Sequence, residues 1–106
     1  MKIVIFGGAG IAGSSLAKKL IKFDSIEEII IADKNDKINF LKQNLQSDKV
    51  TYEPIDASQI ESVRRITSKV DLAVAAIPPS MNALNIVVSC IEEGTHYMDF
   101  GLGTYL

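Results

Sequence analysis

Seven residues near the start of the chain, Gly7-Gly8-Ala9-Gly10-Ile11-Ala12-Gly13, restrict its fold more than any other stretch. They follow the apolar run Ile3-Val4-Ile5-Phe6 and lead into a helical pattern. A buried strand, a glycine turn and a helix start together make a site for phosphate. Gly8, Gly10 and Gly13 fall on the G-x-G-x-x-G spacing of dinucleotide-binding turns. The first glycine lets the chain turn sharply, and the second lets the backbone come close to a pyrophosphate. The third lets the helix pack close to the strand. The helix then aims its unpaired N–H groups and positive dipole end at the anion. Glycine turns of this spacing also occur without a ligand, so the flanking strand and helix are what favour nucleotide binding here.

Strand and helix patterns alternate along the rest of the chain, which is the mark of a parallel sheet covered on both faces. Residues 3–6 form the first expected strand. A helix is expected over 11–23, with Ala12, Leu16, Ala17, Leu20 and Ile21 on one face and Lys18, Lys19 and Lys22 on the other. Residues 28–32, with three consecutive isoleucines, read as a strand buried on both sides. Asn35-Asp36 can cap a short helix that turns Ile38, Leu41 and Leu45 inward. The third strand is 50–55, which Pro54 assigns to an edge. Ser58-Gln59-Ile60-Glu61 reads as a capping box opening a helix to about residue 68. A fourth strand over 71–77 is stopped by Pro78-Pro79. Ser80 then caps a helix with Met81, Leu84, Val87, Val88 and Ile91 inward, ended by Gly94. Residues 96–100 make the fifth strand.

Five strands, four helices and right-handed crossovers imply an α/β, Rossmann-type doubly wound sheet in the order 3-2-1-4-5. The first and fourth strands are then neighbours whose connections leave in opposite directions, so a ligand crevice opens at their carboxyl ends. That places Gly8 to Gly13 beside Ala75-Ala76-Ile77-Pro78.

A length of 106 residues implies a single domain, and an apolar fraction of 47% can furnish its core. The net charge of −2, with lysines and acids interspersed, argues against a nucleic-acid or anionic-membrane surface. Cys90 is the lone cysteine and cannot form an internal disulfide, which fits a reducing cytoplasm. Lys2 is followed by only four apolar residues before the glycines, so no signal peptide is expected. No apolar run approaches the roughly 18 residues that span a bilayer.

Asp33 stands twenty residues beyond Gly13, directly after Ile31-Ala32. An acid there accepts hydrogen bonds from an adenosine ribose and repels a 2′-phosphate, which favours NAD over NADP. The alternative is a solvated turn aspartate. Lys34 beside it can offset the repulsion. Asp56, in Ile55-Asp56-Ala57-Ser58, can lie near an adenine or serve only as a turn or capping residue. His96 is the only histidine, which excludes a histidine metal cluster. Cys90 sits in an apolar helix and reads as packing rather than nucleophile. Ser14 and Ser15 are explained by a helix start. Tyr52 and Tyr97 lack a lysine four residues on, so there is no Tyr-x-x-x-Lys dyad. No carboxylate pair or catalytic triad can be assembled.

The second half carries a more specific pattern. Asp71-Leu-Ala-Val-Ala-Ala-Ile-Pro-Pro, followed by Cys90-Ile-Glu-Glu-Gly-Thr-His-Tyr-Met-Asp99, resembles the cofactor-binding domain of saccharopine dehydrogenase-like oxidoreductases. The resemblance runs over residues 2–101. It implies that Gly8, Ala9, Gly10, Ile11, Ala12 and Gly13 hold the pyrophosphate. It further implies that Asp33 and Lys34 meet the adenosine ribose, Asp56 and Ala57 the adenine, and Ala76, Ile77, Pro78 and Pro79 the nicotinamide side. Members of the family carry the substrate-binding and catalytic residues on a second domain. The chain is therefore expected to be the cofactor-holding part of a longer enzyme and inactive alone. The reaction implied is hydride transfer, with NAD or NADP, to or from an amino-acid-derived imine or secondary amine. An exposed fifth strand further implies self-association as a dimer, through that strand or its neighbouring helix. Two other readings remain. Gly7-x-x-Gly10-x-x-Gly13 fits the phosphate turn of extended short-chain dehydrogenases and epimerases, although the proline pair and His-Tyr-x-Asp do not. A stand-alone nucleotide-sensing module also suits the small size.

Overall fold

The computed structural model describes residues 1–78 and 80–100 of the 106. Pro79, and the end of the chain from 101 on, lie outside the described residues, so the expectation for Pro79 has no structural counterpart here. The elements run β1 (Lys2–Phe6), α1 (Ile11–Leu20), β2 (Glu28–Asp33), α2 (Asn35–Lys42) and β3 (Val50–Pro54). They continue with α3 (Ile60–Thr67), β4 (Leu72–Ala75), α4 (Met81–Glu93) and β5 (His96–Asp99). The five strands form one sheet in the order β3-β2-β1-β4-β5. Every neighbouring pair is parallel. This is the architecture expected from the alternating pattern.

Side-chain alternation along the central strands divides the interior into two cores. Val4 and Phe6 of β1, with Ile30, Ala32, Ala73 and Ala75, face Val63 and Ile66 of α3 and Ile86 and Cys90 of α4. Ile3 and Ile5, with Ile29, Ile31 and Val74, face Ala17 of α1 and Leu41 of α2. The isoleucine run of β2 is buried on both sides. Each such side chain contributes about 2 kcal/mol relative to exposure, so β1 and β2 anchor the sheet.

Several boundaries differ from the sequence expectation. The first helix stops at Leu20 because the chain tightens there, with Lys22 N–H donating to Lys19 and Phe23 N–H to Leu20. Ala12 is exposed, while Gly13 and Ala17 face the sheet. Lys34, not Asn35, is the N-cap of α2, and Asn35 is already helical. Leu45 is buried as expected, although it lies beyond the helix end. The capping box before α3 does not form. Gln59 is the N-cap without a side-chain bond, and Ser58 is drawn back to Asp56 instead. β4 ends at Ala75 because its neighbour β1 ends at Phe6. Gly7 turns away with φ +78°, which leaves residues 76–77 without a continuing partner strand.

The largest departure is the orientation of α4. The expected inward stripe points outward, with Met81 71%, Leu84 47%, Val88 38% and Ile91 75% exposed. Val87 is half-buried. Ala83, Ile86, Ser89 and Cys90 face inward. The helix is apolar almost all round, so its rotation is set by tertiary contacts rather than by its own periodicity. Asn85 Nδ2 donates to the Ala57 carbonyl at 3.3 Å, Arg64 of α3 pairs with Glu92, and Thr95 Oγ1 donates to the Thr67 carbonyl at 2.7 Å. The two ends of α4 agree with expectation. Ser80 Oγ accepts from Ala83 N–H at 3.4 Å, and Gly94 closes the helix at φ +69°.

Candidate functional site: a cleft across the carboxyl ends of the sheet

The glycine turn is built from four glycines with two different physical roles. At Gly7 the backbone is left-handed, and an added Cβ would lie 2.5 Å from the Ala76 carbonyl oxygen. At Gly8 it would lie 2.8 Å from the Ile5 carbonyl oxygen, and at Gly13 it would lie 2.5 Å from that of Gly7. These three are glycine because the protein's own backbone fills the space. Gly10 differs. Its backbone is extended, with φ −77° and ψ 178°, and an added Cβ would meet nothing closer than the Gly7 carbonyl oxygen at 3.3 Å. A Cβ there is tight but needs the Gly7 carbonyl to give by only a few tenths of an ångström, and the bare backbone faces the cleft.

The turn satisfies most of its own donors. Gly7 N–H donates to the Ala32 carbonyl, Gly8 N–H to Ile5 and Gly10 N–H to Gly7. Ala9 N–H donates to Asp33 Oδ2 at 3.0 Å. The first-turn N–H groups of α1 lie beyond, and no side chain caps them. An anion docked at Gly10 would take these donors and the positive end of the helix.

A cleft of about 890 Å³ opens over this turn, within the size range of small-molecule sites. It runs across the carboxyl ends of β2, β1 and β4. At one end lie Asp33, Lys34, Asn35 and Lys37, and at the other Ala76, Ile77, Pro78, Ser80 and Asn82. Ile55, Asp56, Ala57 and Ser58 line it from the β3 side, while Phe6, Gly7, Gly10 and Ala32 form its floor. The structure thus brings together Gly10, Asp33, Lys34, Asp56, Ala57, Ala76, Ile77 and Pro78 of the expected set. Gly8, Ala9, Ile11, Ala12 and Gly13 do not line the cleft. Gly8 and Gly13 are packed into the turn, and Ile11 and Ala12 are exposed at the helix start.

Two acids behave differently from the simplest expectation. Asp33 lines the cleft with both carboxylate oxygens already engaged. Its Oδ2 accepts from Ala9 N–H, and its Oδ1 accepts from Lys34 N–H at 2.7 Å. The side chain therefore ties the end of β2 to the glycine turn. Asp56 makes a turn of its own, with Oδ1 accepting from Ser58 Oγ at 2.7 Å and Ser58 N–H at 2.9 Å. The Ser58 hydroxyl first, then its N–H, hold this carboxyl below the usual range.

Sequence reasoning missed Gly7 and Lys37 as contributors. Gly7 follows the last strand residue directly, where a left-handed turn is needed. Lys37 stands three residues after Lys34, one helical turn along α2. The residues set aside stay outside the cleft. His96 opens β5 at the opposite end of the sheet, paired with Leu72. Cys90 is buried, which pushes its thiol up to about 11. Ser14 Oγ bonds the Ile11 carbonyl of its own helix. Among the described residues, no group of His, Cys, Asp and Glu could hold a metal ion.

Residues 3–105 match the family model described as the saccharopine dehydrogenase NADP binding domain. The chain belongs to this family. It is an NAD(P)-binding Rossmann domain of the saccharopine dehydrogenase type. Solved structures share its fold. The apo saccharopine dehydrogenase (L-Glu forming) of Saccharomyces cerevisiae aligns with a TM-score of 0.75 at 18% identity, over 92% of this chain and 21% of that one. A short-chain dehydrogenase/reductase of Veillonella parvula DSM 2008, in complex with NADP, aligns with a TM-score of 0.78 at 15% identity, over 97% and 49%. The UDP-Glc/GlcNAc 4-epimerase of Campylobacter jejuni aligns with a TM-score of 0.72 at 22% identity, over 92% and 36%. The chain spans less than half the length of each. No curated protein matches it in sequence.

Proposed function

We propose that the chain holds NADP for hydride transfer within an oxidoreductase whose substrate-binding groups lie on another domain. The observation that carries this reading is Gly10, the glycine of the turn least crowded by the fold's own backbone and one that lines the cleft beside the uncapped start of α1. Gly10 and the first-turn N–H groups of α1 would hold the pyrophosphate. Ile55, Asp56 and Ala57 would hold the adenine, and Ala76, Ile77 and Pro78 the nicotinamide side. When bound, the nicotinamide donates or accepts the hydride, and the carbon it serves is that of an amino-acid-derived imine or secondary amine. This domain binds and orients the cofactor, and the acid–base groups come from elsewhere.

The choice of NADP revises the expectation drawn from Asp33. That expectation set the repulsion by Asp33 above the offset from Lys34. In the fold Lys34 and Lys37 both line the Asp33 end of the cleft, and Asp33 is partly engaged by the N–H groups of Ala9 and Lys34. Two cations can pair with a 2′-phosphate, and the family description names NADP.

Calorimetric titration with NADP and NAD tests both halves of the reading. Gly10→Val is expected to lower affinity for each dinucleotide by at least tenfold, about 1.4 kcal/mol, in a folded protein. Replacing Lys34 and Lys37 together with Ala is expected to weaken NADP by a similar factor and leave NAD nearly unchanged. Unaltered binding by a folded Gly10→Val protein sinks the pyrophosphate assignment. Equal losses for the two dinucleotides in the lysine variant sink the 2′-phosphate assignment.

A further inference from the structure

Helix α4 carries two asparagines, Asn82 and Asn85, three residues apart and therefore neighbours on one face. Both are half-buried. The fold uses the amide of only one. Asn85 Nδ2 donates at 3.3 Å to the carbonyl of Ala57, a residue that lines the cleft. Asn82 stands one turn nearer the helix start and lines the cleft itself. Among the described residues its side-chain amide makes no hydrogen bond. A partly desolvated amide gains by finding partners, and on a cleft wall those partners can come from a ligand.

The neighbours narrow what that amide can meet. This end of the cleft is lined by Ala76, Ile77, Pro78, Ser80 and Asn82, none of them charged. The first three have no polar group on their side chains. Ser80 Oγ already accepts from Ala83 N–H as the cap of α4. Such a wall matches a flat ring that bears one neutral polar substituent. An asparagine side chain offers one carbonyl acceptor and one NH2 donor. A ligand carboxamide offers the same two groups, so the two amides can pair head to tail through two hydrogen bonds.

Resting on the dinucleotide reading above, in which the ring at this end is nicotinamide, we propose that Asn82 recognises its carboxamide. Oδ1 accepts from the ligand NH2, and Nδ2 donates to the ligand carbonyl. Asn82 thereby selects an amide-bearing ring and fixes its rotation about the bond to the ribose.

Calorimetric titration of the 106-residue chain tests this with NADP, its 3-acetylpyridine analogue and 2′,5′-ADP. In the analogue a methyl ketone replaces the carboxamide, which keeps the acceptor and removes both N–H donors. The third ligand has no nicotinamide half. The chain is expected to bind NADP about three- to tenfold more tightly than the analogue, the range for one neutral hydrogen bond. Asn82→Leu should abolish that preference and leave 2′,5′-ADP binding unchanged. Asn82→Asp keeps the acceptor and should keep the preference, since its charge acts equally on both pyridinium rings. A chain that binds 2′,5′-ADP yet does not distinguish NADP from the analogue overturns the inference, as does an Asn82→Leu chain that still does. Either result leaves the dinucleotide reading standing. A chain that binds neither NADP nor 2′,5′-ADP overturns the proposed function, and this inference with it.

Discussion

A Cβ placed on Gly7 would lie 2.5 Å from the Ala76 carbonyl oxygen, on a backbone already at φ +78°. The same atom on Gly10 would find its nearest neighbour at 3.3 Å, on an ordinary extended backbone. Two glycines three residues apart therefore answer to different demands: Gly7 to the fold, and Gly10, on the function proposed above, to the ligand. Gly7→Ala is expected to lower unfolding free energy by at least about 1–2 kcal/mol from the left-handed backbone alone, before any clash is counted. Gly10→Ala is expected to cost less than Gly7→Ala, because its backbone is ordinary and the Gly7 carbonyl need give by only a few tenths of an ångström. Urea denaturation of the two variants measures the contrast, and equal losses would mean the turn is strained at both positions. Asp56 belongs to this scale too. Its folded-state carboxyl titrates below the ordinary value because Ser58 donates to it. The bond therefore contributes above the unfolded carboxylate range near pH 4 and is lost as pH falls through the lower folded value. Carboxyl-carbon NMR should show Ser58→Ala returning Asp56 toward an ordinary aspartate.

At the scale of elements, α4 is the informative case. Its sequence, Met-Asn-Ala-Leu-Asn-Ile-Val-Val-Ser-Cys-Ile, is apolar on several faces, and two stripes compete for the interior. Ile86, with Ala83 and Cys90, occupies the core, and the more regular stripe from Met81 to Ile91 is left outside. Ile86→Ala is expected to cost about 2–4 kcal/mol through the lost burial and the cavity left behind. Ile91→Ala, at an exposed position, is expected to fall within about 0.5 kcal/mol of the parent. Thermal or chemical unfolding of the pair reads directly which face is inward. The reverse ranking would require α4 to be rotated about its axis. The short helices α2 and α3 each set few apolar residues among charged ones, so one face is plainly the inward one. Ile38 and Leu41, and Val63 and Ile66, are buried accordingly.

At the scale of the whole molecule, a parallel sheet in the order β3-β2-β1-β4-β5 brings distant segments of the chain to one edge. Lys34, Asp56, Gly10 and Ile77 lie far apart in sequence, yet they line one cleft because each follows the carboxyl end of a strand. The strand order and the position of the crevice followed from the sequence alone. Alternating apolar runs, a glycine turn after the first and a proline after the fourth leave few right-handed arrangements. What a one-dimensional pattern could not show was which donors and faces were already used within the fold. Ala9 N–H is taken by Asp33, Ser58 turns to Asp56 instead of capping α3, and Gly7 is pressed against Ala76, just past the end of β4. The rotation of α4 belongs with these. Local periodicity specifies an element when one face is apolar and the other polar. When both faces are apolar, contacts between residues distant in sequence decide: here those of Asn85 with Ala57, Arg64 with Glu92, and Thr95 with Thr67.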